Sequence, residues 1–439
     1  MPNKTIKLTE WSTREVDLSS STREQIASAV DRWTLQNRLA QAPLSFGGTD
    51  GKKLSATNFV GVVEAGGQAI EIYPKLDRSL FEEGVIIDEK KSQSAMASLL
   101  WMLEVANHEE IYEADTSGLE TAPSSFLDLW AALLAKNLHR EMQMGLARAY
   151  RPMEDNATTV RGRILFHEHL LNNFNRPDRI YCGWDEFTED RPLNRILKCA
   201  CRFLTSRVQN PDTQRQLFDC LGMLDEVADV DVGTALRQVD RIVWDRSMQR
   251  FRLPFKLAVR LLQSIGHETF HGGPQTYVFL LDMNQVFEDY VGAVLERIHQ
   301  VPVDQQRVIG TLFKAPNRLR QKPDFYWQKE GKSFVADAKY KPFFSWHAIE
   351  DETDQTGSPF FNVADVRQLI CYGLMASPET DNVELQIFYP FIGDGPLPAS
   401  VSKATFTGAQ LVAIPIRVTQ THLGENLLPH SLHTHYVLR

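Results

Sequence analysis

Two short apolar-alternating runs around one Gly-containing turn constrain this chain more than any other feature. Asp324-Phe325-Tyr326-Trp327-Gln328 and Ser333-Phe334-Val335-Ala336-Asp337 flank Lys329-Glu330-Gly331-Lys332, a sequence suited to a hairpin turn. With Glu330-Gly331 as a two-residue loop, Lys329 pairs with Lys332, and counting outward sets Phe325 against Ala336 and Trp327 against Phe334. A slip of one residue would scramble both faces, so the pattern selects this register. It also sets Asp324 directly opposite Asp337, where Cβ atoms lie roughly 4.5–5.5 Å apart. Two carboxylates that close can share one divalent cation, and repel without one. Lys339, two residues beyond Asp337, projects from the same strand face. Hydrolysis of a phosphodiester by a metal-activated water requires two short carboxylates and an amine in such an arrangement. An ordinary hairpin with solvated charges on one face would carry the same three residues.

At 439 residues the chain is long enough for two or three domains. Its hydrophobic and charged fractions, 43% and 23%, are those of an ordinary globular protein. No stretch approaches the ~20 apolar residues of a membrane helix, and the N-terminus lacks the apolar core of a signal peptide. Five cysteines without a Cys-x-x-Cys spacing point to a reducing cytoplasm, not to a disulfide framework or a structural zinc site. The net charge of −9 argues against a protein that coats DNA unaided, because non-specific affinity comes from lysine and arginine. Either a local basic surface surrounds the site or a partner supplies the grip on DNA.

The expected architecture is multidomain α+β. Residues 1–95 read as β-rich, 96–265 as mainly helical, and 266–439 as an α/β domain with a mixed sheet flanked by helices. In the first region, strands at 59–64 and 69–75 flank a Gly66-Gly67 turn. In the second, helices are expected at 98–105 and 126–142, and Asp190 with Pro192 marks a helix start. The third contains a helix at 283–299, the hairpin, a helix at 364–375 and a strand at 383–389; the acidic run 350–357 reads as a loop.

Several other residues bear on chemistry. Glu288 lies on the helix just upstream of the hairpin and is a third acidic candidate, although a helix glutamate is often simply solvated. Gln368 and Tyr372, four apart on the downstream helix, share a face. Phe46-Gly47-Gly48-Thr49-Asp50-Gly51-Lys52-Lys53 approaches a phosphate-binding loop but has Phe for the first glycine and Lys for Ser/Thr, so no nucleotide site is expected. His422, His430, His433 and His435 lack the spacing of a metal-binding motif and read as terminal polarity. Cys199 and Cys201 read as core.

The order Glu288, Asp324, Asp337-Ala338-Lys339, Gln368-x-x-x-Tyr372 resembles the PD-(D/E)xK nuclease superfamily, over about the last 40% of the chain. A wider resemblance adds Val60-Gly61-Val62, Ile72-Tyr73-Pro74-Lys75-Leu76, Arg161-Gly162-Arg163-Ile164, Asp185-Glu186-Phe187-Thr188, Leu193-Asn194-Arg195 and Met283-Asn284. Through these the chain resembles the McrC family, nuclease subunits of McrBC modification-dependent restriction systems, from about residue 55 to about 390. The resemblance implies a Mg²⁺-dependent endodeoxyribonuclease, with Mn²⁺ as a substitute, whose C-terminal half has the PD-(D/E)xK fold. Asp324, Asp337 and Glu288 would hold the ion, with the carbonyl of Ala338 as an extra ligand. Lys339 would orient water and stabilise charge, and Gln368 and Tyr372 would position the site or the DNA backbone. The implied partner is a McrB-like AAA+ GTPase hexamer that recognises methylcytosine in double-stranded DNA. The N-terminal half would dock on that ring and stimulate its hydrolysis of nucleotide. Arg161 and Arg163 would then reach the partner's nucleotide or the DNA backbone, since guanidinium forks suit phosphate; a solvated or ion-paired turn accounts for them equally well. Two further classes stay open: a non-catalytic activator of an AAA+ motor, and a nuclease acting without McrB.

Overall fold

The computed structural model describes residues 5–81, 87–106, 125–264, 276–299, 303–313, 319–329, 331–341, 363–376, 382–392, 397, 399–405 and 407–419. The acidic run 350–357, the four C-terminal histidines and the turn residue Glu330 lie outside these. The sequence divides at about 95 and 265, whereas the chain forms two compact units, Met1–Leu129 with Pro274–Arg439, and Trp130–Gly273.

The first unit opens with β1 (Ile6–Thr9), β2 (Thr13–Glu15), α1 (Ser20–Gln36), β3 (Leu44–Gly47), β4 (Lys53–Ala56), β5 (Phe59–Ala65) and β6 (Gln68–Tyr73). β5 and β6 form the expected hairpin: Ala65 pairs with Gln68 across Gly66 and Gly67, both at positive φ, as this tight turn requires. α1 lies in a stretch that reads as β-rich. It presents Ile26, Ala29 and Val30 to the core at helical spacing, but the polar residues around them leave a faint periodic signal. Ser19 caps it, its Oγ accepting the Thr22 N–H at 3.1 Å. The glycine-rich segment after Phe46 is the turn between β3 and β4, not a strand-to-helix loop. α2 (Glu89–Ala106) and α3 (Phe126–Gln143) follow, α3 running past the boundary at Leu129.

The second unit holds β7 (Ala149–Ala157), β8 (Arg163–Ile164), α4 (Phe166–Asn173), β9 (Ile180–Thr188), α5 (Pro192–Thr205), α6 (Pro211–Met223), α7 (Val232–Val239) and α8 (Arg252–Ser264). The helices match the expected character of this region, but the antiparallel sheet β7-β9-β8 does not. β7 is polar, carries Pro152 and is largely exposed, so no apolar alternation marks it as a strand. Pro192 is the first residue of α5, as expected, but the cap position belongs to Arg191. Asp190 instead grips Arg195 with both oxygens, at 2.6 and 2.5 Å, and accepts the Ala228 N–H at 3.0 Å. A bidentate, charge-assisted pair is stronger than a cap hydrogen bond.

Returning to the first unit, β10 (Tyr277–Asp282) pairs antiparallel with β5, completing a sheet of order β1-β6-β5-β10. α9 (Met283–His299), β11 (Asp304–Gln305), β12 (Gly310–Thr311), β13 (Arg320–Gln321), β14 (Phe325–Lys329), β15 (Lys332–Ala338), α10 (Val363–Ala376), β16 (Val383–Phe391), β17 (Val401–Ala404) and β18 (Gln410–Arg417) follow. Six of these strands make a mixed sheet, β11-β14-β15-β16-β18-β17, in which β15, β16 and β18 run parallel. The β14–β15 register is the expected one, Phe325 with Ala336, Trp327 with Phe334 and Lys329 with Lys332. Trp327 and Phe334 stack with ring centroids 5.0 Å apart. The opposite face is buried too: Tyr326 and Val335 join Leu369 and Tyr372 of α10 and Leu385 and Ile387 of β16 in one core cluster. Losing one such large side chain costs about 2–5 kcal/mol. Asp324, Asp337 and Lys339 therefore sit at the end of a packed face, not on a solvated one.

Candidate active site

One step beyond the Phe325–Ala336 pair, each aspartate carboxylate accepts a backbone N–H from the opposite strand end. Asp337 Oδ1 accepts the Asp324 N–H at 3.4 Å, and Asp324 Oδ2 accepts the Ala338 N–H at 2.9 Å. Asp337 is 1% exposed, and its Oδ2 faces Lys339. Lys339 Nζ approaches that oxygen to 2.8 Å as an ion pair. Glu288 reaches the same place from α9: Gln306, just after β11, donates its side-chain N–H groups to Glu288 Oε1 at 2.8 Å and to Asp324 Oδ1 at 3.1 Å. On α10, Gln368 Nε2 donates to the Tyr372 hydroxyl at 2.7 Å.

The electrostatics follow from this crowding. Burial first, then the charges of Asp337 and Glu288, push the Asp324 carboxyl up to about 7, against the Ala338 N–H and Lys339. Burial also raises Glu288, opposed by the Gln306 hydrogen bond and reinforced by Asp289 and Asp337. For Lys339, burial acts to lower the ammonium's pKa, but Asp337, Asp365 and Asp324 outweigh it and hold the group above its ordinary value. Lys339 is thus a fixed cation at neutral pH and cannot take a proton from water. Tyr372 is raised by burial and by the charges of Asp337 and Asp324, so it stays a neutral hydroxyl.

Among the described residues, no three His, Cys, Asp or Glu side chains converge as a ready metal cage. The donors nonetheless suit Mg²⁺, which prefers oxygen, takes one or two carboxylates and keeps several waters. The mutual repulsion of Asp324, Asp337 and Glu288, which Lys339 and the Gln306 amide offset only in part, is what a bound cation would relieve.

Two members of the cluster are absent from the sequence expectation. Asp365, in the first turn of α10, lies 3.9 Å from Lys339 Nζ and 3.1 Å from Lys341 Nζ. Gln306 is the other. Neither has a motif around it; only the position of Asp365 one turn before Gln368 on the same helix could have suggested its face. Arg161 and Arg163 lie in the second unit, exposed, with the Arg161 guanidinium 5.6 Å from the centre of the Trp184 ring. Cys199 and Cys201 are buried in α5.

A family model described as "McrBC 5-methylcytosine restriction system component" matches residues 54–390. No curated protein sequence matches the chain. Among solved structures, 94% of the chain superposes on 95% of a chain from a refined half-complex of a tetradecameric assembly of Thermococcus gammatolerans McrB AAA+ hexamers with bound McrC, at 18% identity and a TM-score of 0.65. A cryo-EM structure of the Thermococcus gammatolerans McrBC complex contains a chain similar over 69% of this one and 90% of its own length, at 18% identity and a TM-score of 0.51. The fold is shared with these chains, and the family match spans most of the sequence. The chain belongs to the McrBC 5-methylcytosine restriction system component family.

Proposed function

We propose that this chain is the McrC-like nuclease subunit of a McrBC-type complex, cutting methylcytosine-containing double-stranded DNA when joined to a McrB-like AAA+ GTPase. The observation that carries the reading is the Asp324/Asp337/Lys339 arrangement at the end of a buried sheet face, with Glu288 beside it. Asp324 and Asp337 would hold Mg²⁺ or Mn²⁺, with Glu288 and the Ala338 carbonyl completing the set. Such an ion, when bound, lowers the pKa of a coordinated water and polarises the scissile phosphate. Lys339, held protonated by Asp337 and Asp365, supplies fixed positive charge where the phosphate gains negative charge. Tyr372, kept neutral, and Gln368 offer hydrogen bonds at the site's rim.

The second unit supports the partner role. α4 and the residue after it leave Phe166, Leu170, Leu171 and Phe174 between 65% and 85% exposed, with Arg161 and Arg163 on the adjoining turn and strand. An apolar helix face of this kind marks an interaction surface. The AAA+ ring is the proposed occupant, its nucleotide hydrolysis stimulated on docking. The test is cleavage of methylated DNA by the assembled complex with Lys339→Ala or Asp337→Ala. Loss of cutting with intact assembly and intact nucleotide hydrolysis is expected; wild-type cutting by Lys339→Ala would overturn the assignment. A complex that stimulates hydrolysis but never cuts, with or without the substitutions, would instead identify a non-catalytic activator.

A further inference from the structure

We propose that Gln306 is a built-in surrogate for the divalent cation, its side-chain amide occupying the gap between Glu288 and Asp324 until an ion displaces it; this rests on the cation-site reading above. The amide nitrogen donates to Glu288 Oε1 at 2.8 Å and to Asp324 Oδ1 at 3.1 Å, bridging two carboxylates from different elements. Both neighbours are acceptor oxygens, which requires the NH₂ end of the amide to face them. An NH₂ group with two donors and partial positive charge is the nearest uncharged equivalent of a cation between two carboxylates.

The backbone is built to hold the amide there. Gln306 has φ +51°, a left-handed conformation that glutamine adopts at a cost, and its own N–H donates to the Asp324 carbonyl at 3.0 Å. The next residue pins the turn as well: Arg307 pairs with Asp304 at 2.7 Å, and its guanidinium lies 4.8 Å from the centre of the Tyr326 ring. Gln306 itself is exposed, so its side chain can swing into solvent while the turn stays fixed. A strained non-glycine residue beside a charged site fits a functional constraint.

The consequence is competition. The ion must break the amide's two hydrogen bonds to charged groups before it binds, which weakens apparent affinity. Removing the amide should tighten Mg²⁺ binding about tenfold, given the strength of hydrogen bonds to carboxylates. The experiment is calorimetric titration of the full-length chain with Mg²⁺ alone, without DNA, for the native protein, Gln306→Met and Gln306→Gly. Methionine keeps about the length of the side chain but has no donor; glycine removes the side chain and adopts positive φ without cost. Tighter Mg²⁺ binding by both variants is expected. Unchanged or weaker binding by both overturns the surrogate and leaves the cation site standing. No Mg²⁺ binding by any of the three proteins overturns the cation site itself, and the surrogate with it.

Discussion

The hydroxyl of Tyr340 donates to Glu10 Oε1 at 2.7 Å, tying the residues just after β15 to the segment just after β1. Glu10 is fully buried; Oε1 also accepts the Lys75 N–H at 2.7 Å, and Oε2 has no hydrogen bond. Phe287, the residue before Glu288, packs on the Tyr340 ring with centroids 6.0 Å apart. The acidic site is thus braced by a carboxyl group more than three hundred residues away in sequence.

Burial pushes the Glu10 carboxyl up from 4.5 to about 7, against Tyr340 and Lys75, which lower it. A carboxyl raised by folding contributes stability that is complete below its unfolded pKa and lost as pH rises through the folded one. Asp324, raised from 3.8 to about 7, acts with the same sign. In EDTA, Tm should therefore fall between about pH 5 and about pH 8. Glu10→Gln, neutral at every pH, should remove part of that fall, and a profile as steep as the native one would refute the role given to Glu10.

Cation binding should depend on pH through Asp324. The ion needs the carboxylate, so below about pH 7 each unit of acidification should weaken Mg²⁺ affinity by up to about tenfold. Proton release on binding, measured by titration in buffers of different ionisation enthalpy, checks this directly. Binding without proton release at pH 6 would contradict it.

Leu170→Glu and Phe174→Glu alter side chains that are 65% and 85% exposed, so folding stability should change by no more than about 0.5 kcal/mol. Assembly with the AAA+ partner, read by size-exclusion chromatography and by stimulated nucleotide hydrolysis, should fail or weaken at least tenfold. Native assembly by both variants would show that the ring docks elsewhere.

Gly162, between Arg161 and Arg163, has φ +62°, and a Cβ there would lie 2.5 Å from the Gly183 carbonyl oxygen and 2.8 Å from Trp184 Cβ. Gly162→Ala should therefore loosen the β8–β9 pairing at a cost of about 1–3 kcal/mol. Hydrogen exchange at Arg163 and Ile164 should accelerate while the β14–β15 amides keep their protection. Unchanged exchange at both places would rule out the strain.

The hairpin register, and with it the opposition of Asp324 and Asp337, is legible along the chain, because strand side chains alternate and only one pairing keeps Trp327 on Phe334. The helix at 283–299 and the β5–β6 turn are legible too, as local patterns repeated within a few residues. The rest arises from packing between distant elements. The polar strand β7 has no periodic apolar signature and exists because β9 pairs with it. β10 joins β5 across more than two hundred residues, so the two ends of the chain share one unit. Gln306, Asp365 and Glu10 carry no motif; their proximity to Asp324, Lys339 and Tyr340 arises only when separate elements pack. Periodicity encodes which face a residue takes. Which distant polar group meets it there is settled by packing, since one hydrogen bond leaves no pattern along the chain.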